Sequence, residues 1–326
     1  MFHHDSESEL LGVITKKTNM MFEVWAEGRL LQGRLAGGFK QNQNKRSAKQ
    51  NYTAQLPSIT VGDEVRVRLV SANEAVITTL LPRRSSFGRR AALAMPDKYP
   101  HEQVIAANVD QMLAIFSAAE PAPHWNLLDR YLVAAEDAGL KALICISKVD
   151  LLNQQSEDYQ RETLQIVDDF RRIGYPVLFT STRTGEGLEE LFACLSGCIS
   201  LMIGKSGVGK SSLINALLPA MQLRTGVVNP TTGKGRHTTT HLEMIRLARG
   251  GAVIDTPGMR EFGLWDIPAD ELAENFPEMR PFLGKCKFGL DCAHDEEPGC
   301  AVRRAVMDGF IQPRRYRSYL CLRGMA

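Results

Sequence analysis

The sequence predicts a multidomain protein. It has a small β-barrel first, an α/β unit on a parallel sheet in the middle, and a short cysteine-bearing module last. Three observations predict this. Residues 10–82 break into short runs of alternating apolar and polar residues with glycine at the breaks, the pattern of a small antiparallel barrel. From about residue 103, continuous apolar runs alternate with helical stretches, as in a parallel sheet covered on both faces. From about residue 268 the segments are short and carry Cys and Pro, ending in a basic helix-like stretch. At 326 residues the chain has room for two or three domains, and the texture changes divide it into 1–90, 91–267 and 268–326.

In the first division the strands are LGVITKKTNMMFEVWA, GRLLQGRLA, ITVGDEVRVRLV and AVITTLLP. In the third of these, Val65, Val67 and Leu69 share one face and Arg66 and Arg68 the other, because side chains alternate along a strand. The polar, basic run 37–55 predicts a long mobile loop. Residues 82–90 read as a basic linker. In the second division strands are expected near 111–117 and at 142–147, 176–181, 199–204 and 252–254. Helices are expected at 127–139, up to about 173, at 188–195 and at 211–218.

Composition excludes several classes. With 44% hydrophobic and 23% charged residues, the chain is neither a disordered polyelectrolyte nor a collagen-like repeat. No apolar run reaches 18 residues, so no transmembrane helix is expected. MFHHDSESEL has neither the basic nor the apolar region of a secretory signal. With seven cysteines, the expectation is a cytoplasmic protein in a reducing compartment. The formal net charge of +2 hides a polarity. Residues 10–90 carry 14 Lys/Arg against 5 Asp/Glu, and residues 301–326 carry 6 against 1. Basic segments flanking an acidic middle point to a polyanion partner. The basic residues of 34–49, 83–90 and 303–317 are the candidate contacts.

The strand ISLMI runs into Gly204, Lys205, Ser206, Gly207, Val208, Gly209, Lys210, Ser211 and Ser212, then a helix. This is G-x-x-x-x-G-K-[ST] in the strand–loop–helix setting that the motif requires. Glycines let backbone N–H groups converge on phosphate oxygens, and the helix turns its positive end to the anion. Lys210 bridges the outer phosphates, and the Ser211 hydroxyl suits Mg²⁺. Asp255-Thr256-Pro257-Gly258 follows a strand. Its carboxylate suits the Mg²⁺ shell, and Gly258 suits an approach to the γ-phosphate. The Gly- and Thr-rich segment 229–242 between them reads as a switch, in which Thr238, Thr239 or Thr240 would close onto the metal. Thr239 is taken as the candidate.

Guanine readers in this class carry N-K-x-D. Here Ser147, Lys148, Val149 and Asp150 stand at the end of the strand ALICI, with Ser in the place of Asn. Asp150 would accept from the base's N–H groups and the Lys148 stem would pack along the ring. Ser181 and Thr182, after the next strand, begin a loop that resembles the second base-contacting loop of GTPases. Both elements precede the phosphate loop, whereas in an ordinary GTPase they follow it. A permuted chain builds the same sheet, because the ends of a compact domain often lie close together. Further on, Cys286, Cys292, His294 and Cys300 fall within 15 residues. Three thiolates and an imidazole form a closed set for one structural Zn²⁺. Cys145, Cys194, Cys198 and Cys321 are expected as small core residues.

This motif order, SKVD, then GKSGVGKSS, GRHTTT and DTPG, with a barrel before and a cysteine cluster after, resembles the RsgA (YjeQ) family. These are circularly permuted GTPases that depend on the small ribosomal subunit. The resemblance covers about residues 10–320 and includes EQVIAANVD. It implies an N-terminal OB-fold, a permuted GTPase domain and a C-terminal zinc-binding domain. It also implies GTP hydrolysis to GDP and phosphate, stimulated by the small subunit and its rRNA late in assembly. His237 in GRHTTT matches the switch histidine to which the family assigns orientation of the attacking water. Lys210, Thr239 and His237 thus form the catalytic set. The position at which many GTPases carry a water-orienting Gln is Met259, so slow intrinsic turnover is expected. The sequence departs from the family at Ser147 and in the first cysteine gap, which is five residues here and usually four. A monomer with no membrane partner is expected. The alternatives are a P-loop ATPase or kinase that does not select guanine, and an rRNA-binding module that reads nucleotide state with little turnover.

Overall fold

The computed structural model describes residues 9–18, 21–41, 59–90, 102–218, 242–256 and 267–324. His237, Thr238, Thr239, Thr240, Gly258 and Met259 lie outside the described residues, as does most of the 37–55 loop. The strands are β1 Leu10–Lys17, β2 Phe22–Ala26, β3 Arg29–Gln41, β4 Glu64–Leu69, β5 Glu74–Leu80, β6 Ser86–Arg90, β7 Glu102–Ala107, β8 Gln111–Ser117, β9 Lys141–Ser147, β10 Val177–Phe179, β11 Ile199–Ile203, β12 Glu243–Arg246 and β13 Ala252–Asp255. The helices are α1 Trp125–Asp137, α2 Glu157–Ile173, α3 Leu188–Leu195, α4 Lys210–Leu217, α5 Ala301–Met307 and α6 Pro313–Leu322. No described helix is long and apolar enough to cross a membrane. The described residues gather into two compact units. One draws on Met1–Asp110, Leu195–Leu201 and His237–Pro257, and the other on Gln111–Cys194, Met202–Arg236 and Gly258–Ala326.

In the first unit, β1 through β5 close into a ring, β1-β2-β3-β5-β4 and back to β1. The alternation read from the sequence holds: along β4, Val65 and Val67 are buried and Arg66 and Arg68 are exposed. Ile14, Val24, Leu31, Val65, Val67 and Ile77 fill the interior, each no more than 1% exposed. The expected all-antiparallel barrel needs one correction, because β3 and β5 run parallel. A closed ring with an odd number of strands cannot alternate direction at every neighbour, so at least one pair must be parallel. The basic run 82–90 is also more than a linker. It carries β6, which pairs antiparallel with β7. Arg83 there is bound to the fully buried Asp63 by two bonds of 2.7 and 2.9 Å. The sheet continues beyond the ring, for β12 pairs with β1 at Lys16 and Glu243 and then with β13. An ion pair of 3.1 Å between Lys16 and Glu243, and the Arg246 guanidinium 4.7 Å from the Trp25 ring centroid, fasten that edge.

In the second unit, β10, β9 and β8 are parallel neighbours. The runs of β8 and β9 are buried on both faces, so β9 reads as continuous hydrophobics and not as an alternation. Helix α2 begins where Ser156 accepts the Tyr159 N–H, carries Glu157 and Asp158 in its first turn, and ends at Gly174 in the left-handed region. Each choice satisfies or complements a helix end. The C-terminal module packs on this unit through its own core of Leu272, Phe276, Met279, Val302, Ile311 and Tyr319, which also takes Val133 of α1. Below that core, Asp129 and Arg315 are wholly buried and 2.8 Å apart. Arg314 reaches the same carboxylate at 2.7 Å. These two arginines are therefore withdrawn from the proposed polyanion contacts, whereas Arg303, Arg304 and Arg317 are exposed.

Candidate functional site

Strand β11 delivers the chain into the phosphate loop, and α4 starts directly after Gly209. Two features of the loop require glycine. Gly207 and Gly209 take φ of 87° and 95°, in the left-handed region. A Cβ on Gly204 would stand 2.4 Å from the Ile115 carbonyl oxygen of β8, so that backbone approach excludes any side chain. The Lys210 ammonium donates to the carbonyls of Gly204 and Lys205 at 2.6 and 3.1 Å, which holds it across its own loop. Ser211 follows in the first turn of α4. These donors are N–H groups, an ammonium and a hydroxyl at a helix N-terminus, a set that suits a polyphosphate.

The SKVD segment closes against this loop. Ser147, buried at the end of β9, donates its hydroxyl to the Val208 carbonyl at 2.5 Å, with the Phe116 carbonyl as a second acceptor at 3.2 Å. Lys148 turns into the left-handed region at φ 55° and donates through its ammonium to the Glu120 carbonyl. Burial lowers its pKa, against the pull of Glu120 and Asp150. Val149 donates its N–H to Thr180 at 3.2 Å, joining this turn to the one after β10. Ser181 then donates to Asp150 Oδ1 at 2.6 Å while accepting the N–H groups of Arg183 and Thr184 at 3.2 Å. The Arg183 guanidinium lies 3.8 Å from Asp150 Oδ2. Thr182 is exposed in the same loop. Ser147 through Asp150, Ser181, Thr182 and the 204–212 loop are thus brought to one edge.

Asp255 ends β13 in the first unit, where it is buried, and Thr256 follows it. The oxygen donors Ser211 and Asp255 are of the kind that a hard cation such as Mg²⁺ takes. Sequence reasoning missed His124, just ahead of α1. Partial burial and then the charge of Lys205, a phosphate-loop residue, lower its pKa. No motif marks it.

Cys286, Cys292, His294 and Cys300 are all buried, with ligand atoms within 4.8 Å of one another. The Cys286 and Cys300 sulfurs each lie 3.5 Å from His294 Nδ1 and 3.9 Å from each other. A tetrahedral zinc with sulfur ligands at about 2.3 Å spaces its sulfurs roughly 3.8 Å apart, so the cluster has the right size for one ion. Burial pushes the Cys292 and Cys300 thiols up and the imidazole down. A bound cation is what lets such thiols ionise. N–H groups of Ala301 and Arg303 already point at the Cys286 and Cys300 sulfurs. The imidazole segment is held by Tyr316, whose hydroxyl donates to the His294 carbonyl at 2.7 Å. The five-residue first gap is absorbed by a single helical turn, Gly289–Asp291. Of the other cysteines, Cys145 is buried as expected. Cys194 and Cys321 are exposed, so they are not core residues.

A family model described as RsgA GTPase matches residues 80–265. The chain is 42% identical over 298 residues to the small ribosomal subunit biogenesis GTPase RsgA of Ectopseudomonas mendocina, covering 91% of this chain and 81% of that one. It is 41% identical over 315 residues to the protein of the same name from Azotobacter vinelandii, covering 97% and 85%. Among solved structures it resembles YjeQ from Thermotoga maritima, with a TM-score of 0.74, 31% identity and coverage of 97% and 98%. It also resembles YloQ, described as a circularly permuted GTPase, with a TM-score of 0.70, 28% identity and coverage of 99% and 97%.

Proposed function

The chain belongs to the RsgA GTPase family, and from that premise we propose that it hydrolyses GTP to GDP and phosphate while bound to the small ribosomal subunit, late in that subunit's maturation. The supporting observation is the bond from Ser147 to Val208, which seats the purine-reading edge against the phosphate loop although the two are encoded 61 residues apart and in permuted order. One ligand with a base at one end and phosphates at the other spans such a pair.

In this reading the backbone N–H groups of 204–209 and the start of α4 receive the phosphates. Lys210 spreads its charge over the oxygens that gain charge as the terminal phosphoryl group departs. Asp150, aimed by Ser181, accepts from the guanine N–H groups, and the Lys148 stem flanks the ring. By motif order Ser211, Asp255 and Thr239 are the oxygen ligands of Mg²⁺, directly or through water. When bound, that ion neutralises charge on the phosphates. His237 orients the attacking water, since Met259 has no group that can. Cys286, Cys292, His294 and Cys300 hold one structural Zn²⁺. The division 1–90, 91–267 and 268–326 then corresponds to an rRNA-binding OB-fold, the permuted GTPase domain and the zinc-binding domain of a cytoplasmic monomer.

The test is GTP turnover by the purified chain with and without small ribosomal subunits. Subunits should stimulate the wild type strongly. His237→Ala should lower stimulated turnover about 100-fold, the scale of a lost proton-handling group, and Ser211→Ala should abolish it. A wild type that turns over GTP at the same rate with and without subunits would sink the reading.

A further inference from the structure

Ser147 stands where guanine readers carry Asn, and the geometry around it gives it a different task. A serine hydroxyl has one proton to donate. Here both oxygens within reach are main-chain carbonyls, Val208 at 2.5 Å and Phe116 at 3.2 Å. The side chain is 3% exposed and lies 3.8 Å from where a Cβ on Gly209 would stand. Its proton is committed to the protein and is not available to a base. A trans peptide is planar, with C=O and N–H pointing in opposite directions. Fixing the Val208 carbonyl on Ser147 therefore fixes the Gly209 N–H away from it. That peptide belongs to a loop whose glycines, at φ of 87° and 95°, leave it little intrinsic stiffness. Asp150, by contrast, is oriented from the other side. Ser181 holds Oδ1, and Arg183 lies beside Oδ2.

We propose that Ser147 is a positioning residue that sets the orientation of the 208–209 peptide in the phosphate loop, and that purine selection in this chain rests on Asp150 without it. The proposal deepens the nucleotide-site reading above and rests on it. Its consequence is a separation of duties: Ser147 acts on the phosphate end of any nucleotide, and Asp150 acts on the base.

The experiment measures two things on the full-length protein. The first is amide hydrogen exchange over 204–212 without nucleotide. The second is the affinity for GDP and for inosine diphosphate, which lacks the guanine amino group. Ser147→Ala should speed exchange at the loop amides and weaken both nucleotides by the same factor, about 5- to 10-fold for one lost hydrogen bond. The ratio of the two affinities should stay unchanged. Ser147→Thr, which keeps the hydroxyl, should restore loop protection. Asp150→Ala should shrink the ratio and leave loop exchange alone. A Ser147→Ala protein with a shrunken ratio would make Ser147 a base reader and overturn the proposal. Unchanged exchange with unchanged affinities would overturn it as well. If the wild type bound neither nucleotide, the functional reading and the selection half would fall. The exchange data would still decide the loop-positioning half.

Discussion

Asp129 shows how much one carboxylate can hold. It is fully buried on α1, and it accepts from Arg315 at 2.8 Å, from Arg314 at 2.7 Å and from Ser318 at 2.5 Å. Burial alone would drive Arg315 towards neutrality. Asp129 and Glu278 outweigh it, so the guanidinium is held charged more firmly than usual. Such a pair adds little net stability over an apolar one, but removing Asp129 leaves the buried Arg315 with Glu278 alone, at 2.6 Å, and takes a carboxylate from Arg314. Asp129→Ala is therefore expected to cost about 3–5 kcal/mol, read from urea unfolding. A loss below about 1 kcal/mol would show that Glu278, 2.6 Å from Arg315, suffices to hold the buried guanidinium. Gly204 sets a second limit at this scale. Its Cβ would meet the Ile115 carbonyl at 2.4 Å, and that oxygen sits in a strand that cannot yield. Gly204→Ala should shift the loop and lower GDP affinity at least about 5-fold, the scale of a 1–3 kcal/mol overpacking cost, measured by calorimetry.

Elements differ in how plainly they announce themselves. The strands β8, β9 and β11 and the helices α1 and α3 were legible because their apolar runs or helical periods are long and bounded by clear breaks. The hairpin of β6 and β7 was not. SFGRR carries four polar or glycine residues in five, and its pairing partner lies beyond residues 91–101. Strand β12 has four residues, Glu243–Arg246, too few for a period to emerge. The parallel β3–β5 pair follows from counting strands in a closed ring, which no local pattern reports. In the candidate site, the phosphate loop and the cluster of three cysteines and a histidine could be read from spacing alone. The bond from Ser147 to Val208 could not, because it depends on where two strand ends meet. The metal cluster gives this scale its prediction. The module around it has a modest core, and Cys300 caps the N-terminus of α5, its sulfur accepting the Arg303 N–H. Purified protein should contain one zinc per chain. Its removal by a chelator should expose amides over 286–300 and loosen α5, since such ions contribute on the order of 10 kcal/mol to local folding. Unchanged exchange there after removal of the metal would show that the apolar core of the module suffices without it.

At the scale of the whole molecule the deciding quantity is where positive charge is free to act. Counting Arg and Lys along the chain overstates the C-terminal contribution. Arg315 is wholly buried and Arg314 mostly so, both committed to Asp129. In the first unit Arg83 is committed to Asp63. What remains exposed near the C-terminus is Arg303, Arg304 and Arg317. If the partner is the small subunit's rRNA, these contacts act through phosphates, and each one lost should remove about 0.7–0.9 from the slope of log affinity against log salt. Replacing all three with Ala should flatten that slope by roughly 2 to 3 and weaken subunit binding most at low salt, while thermal stability stays near the wild-type value. Replacing Arg315 instead should unfold the module before any salt slope can be measured. Co-sedimentation with small subunits across a salt series separates the two outcomes. A triple variant with the wild-type slope would show that the C-terminal charge serves solubility and would move the rRNA contact wholly to the barrel unit. The distinction matters because charge on a surface and charge in a core look identical in a sequence, and only the second holds the C-terminal module to the helix that carries Asp129.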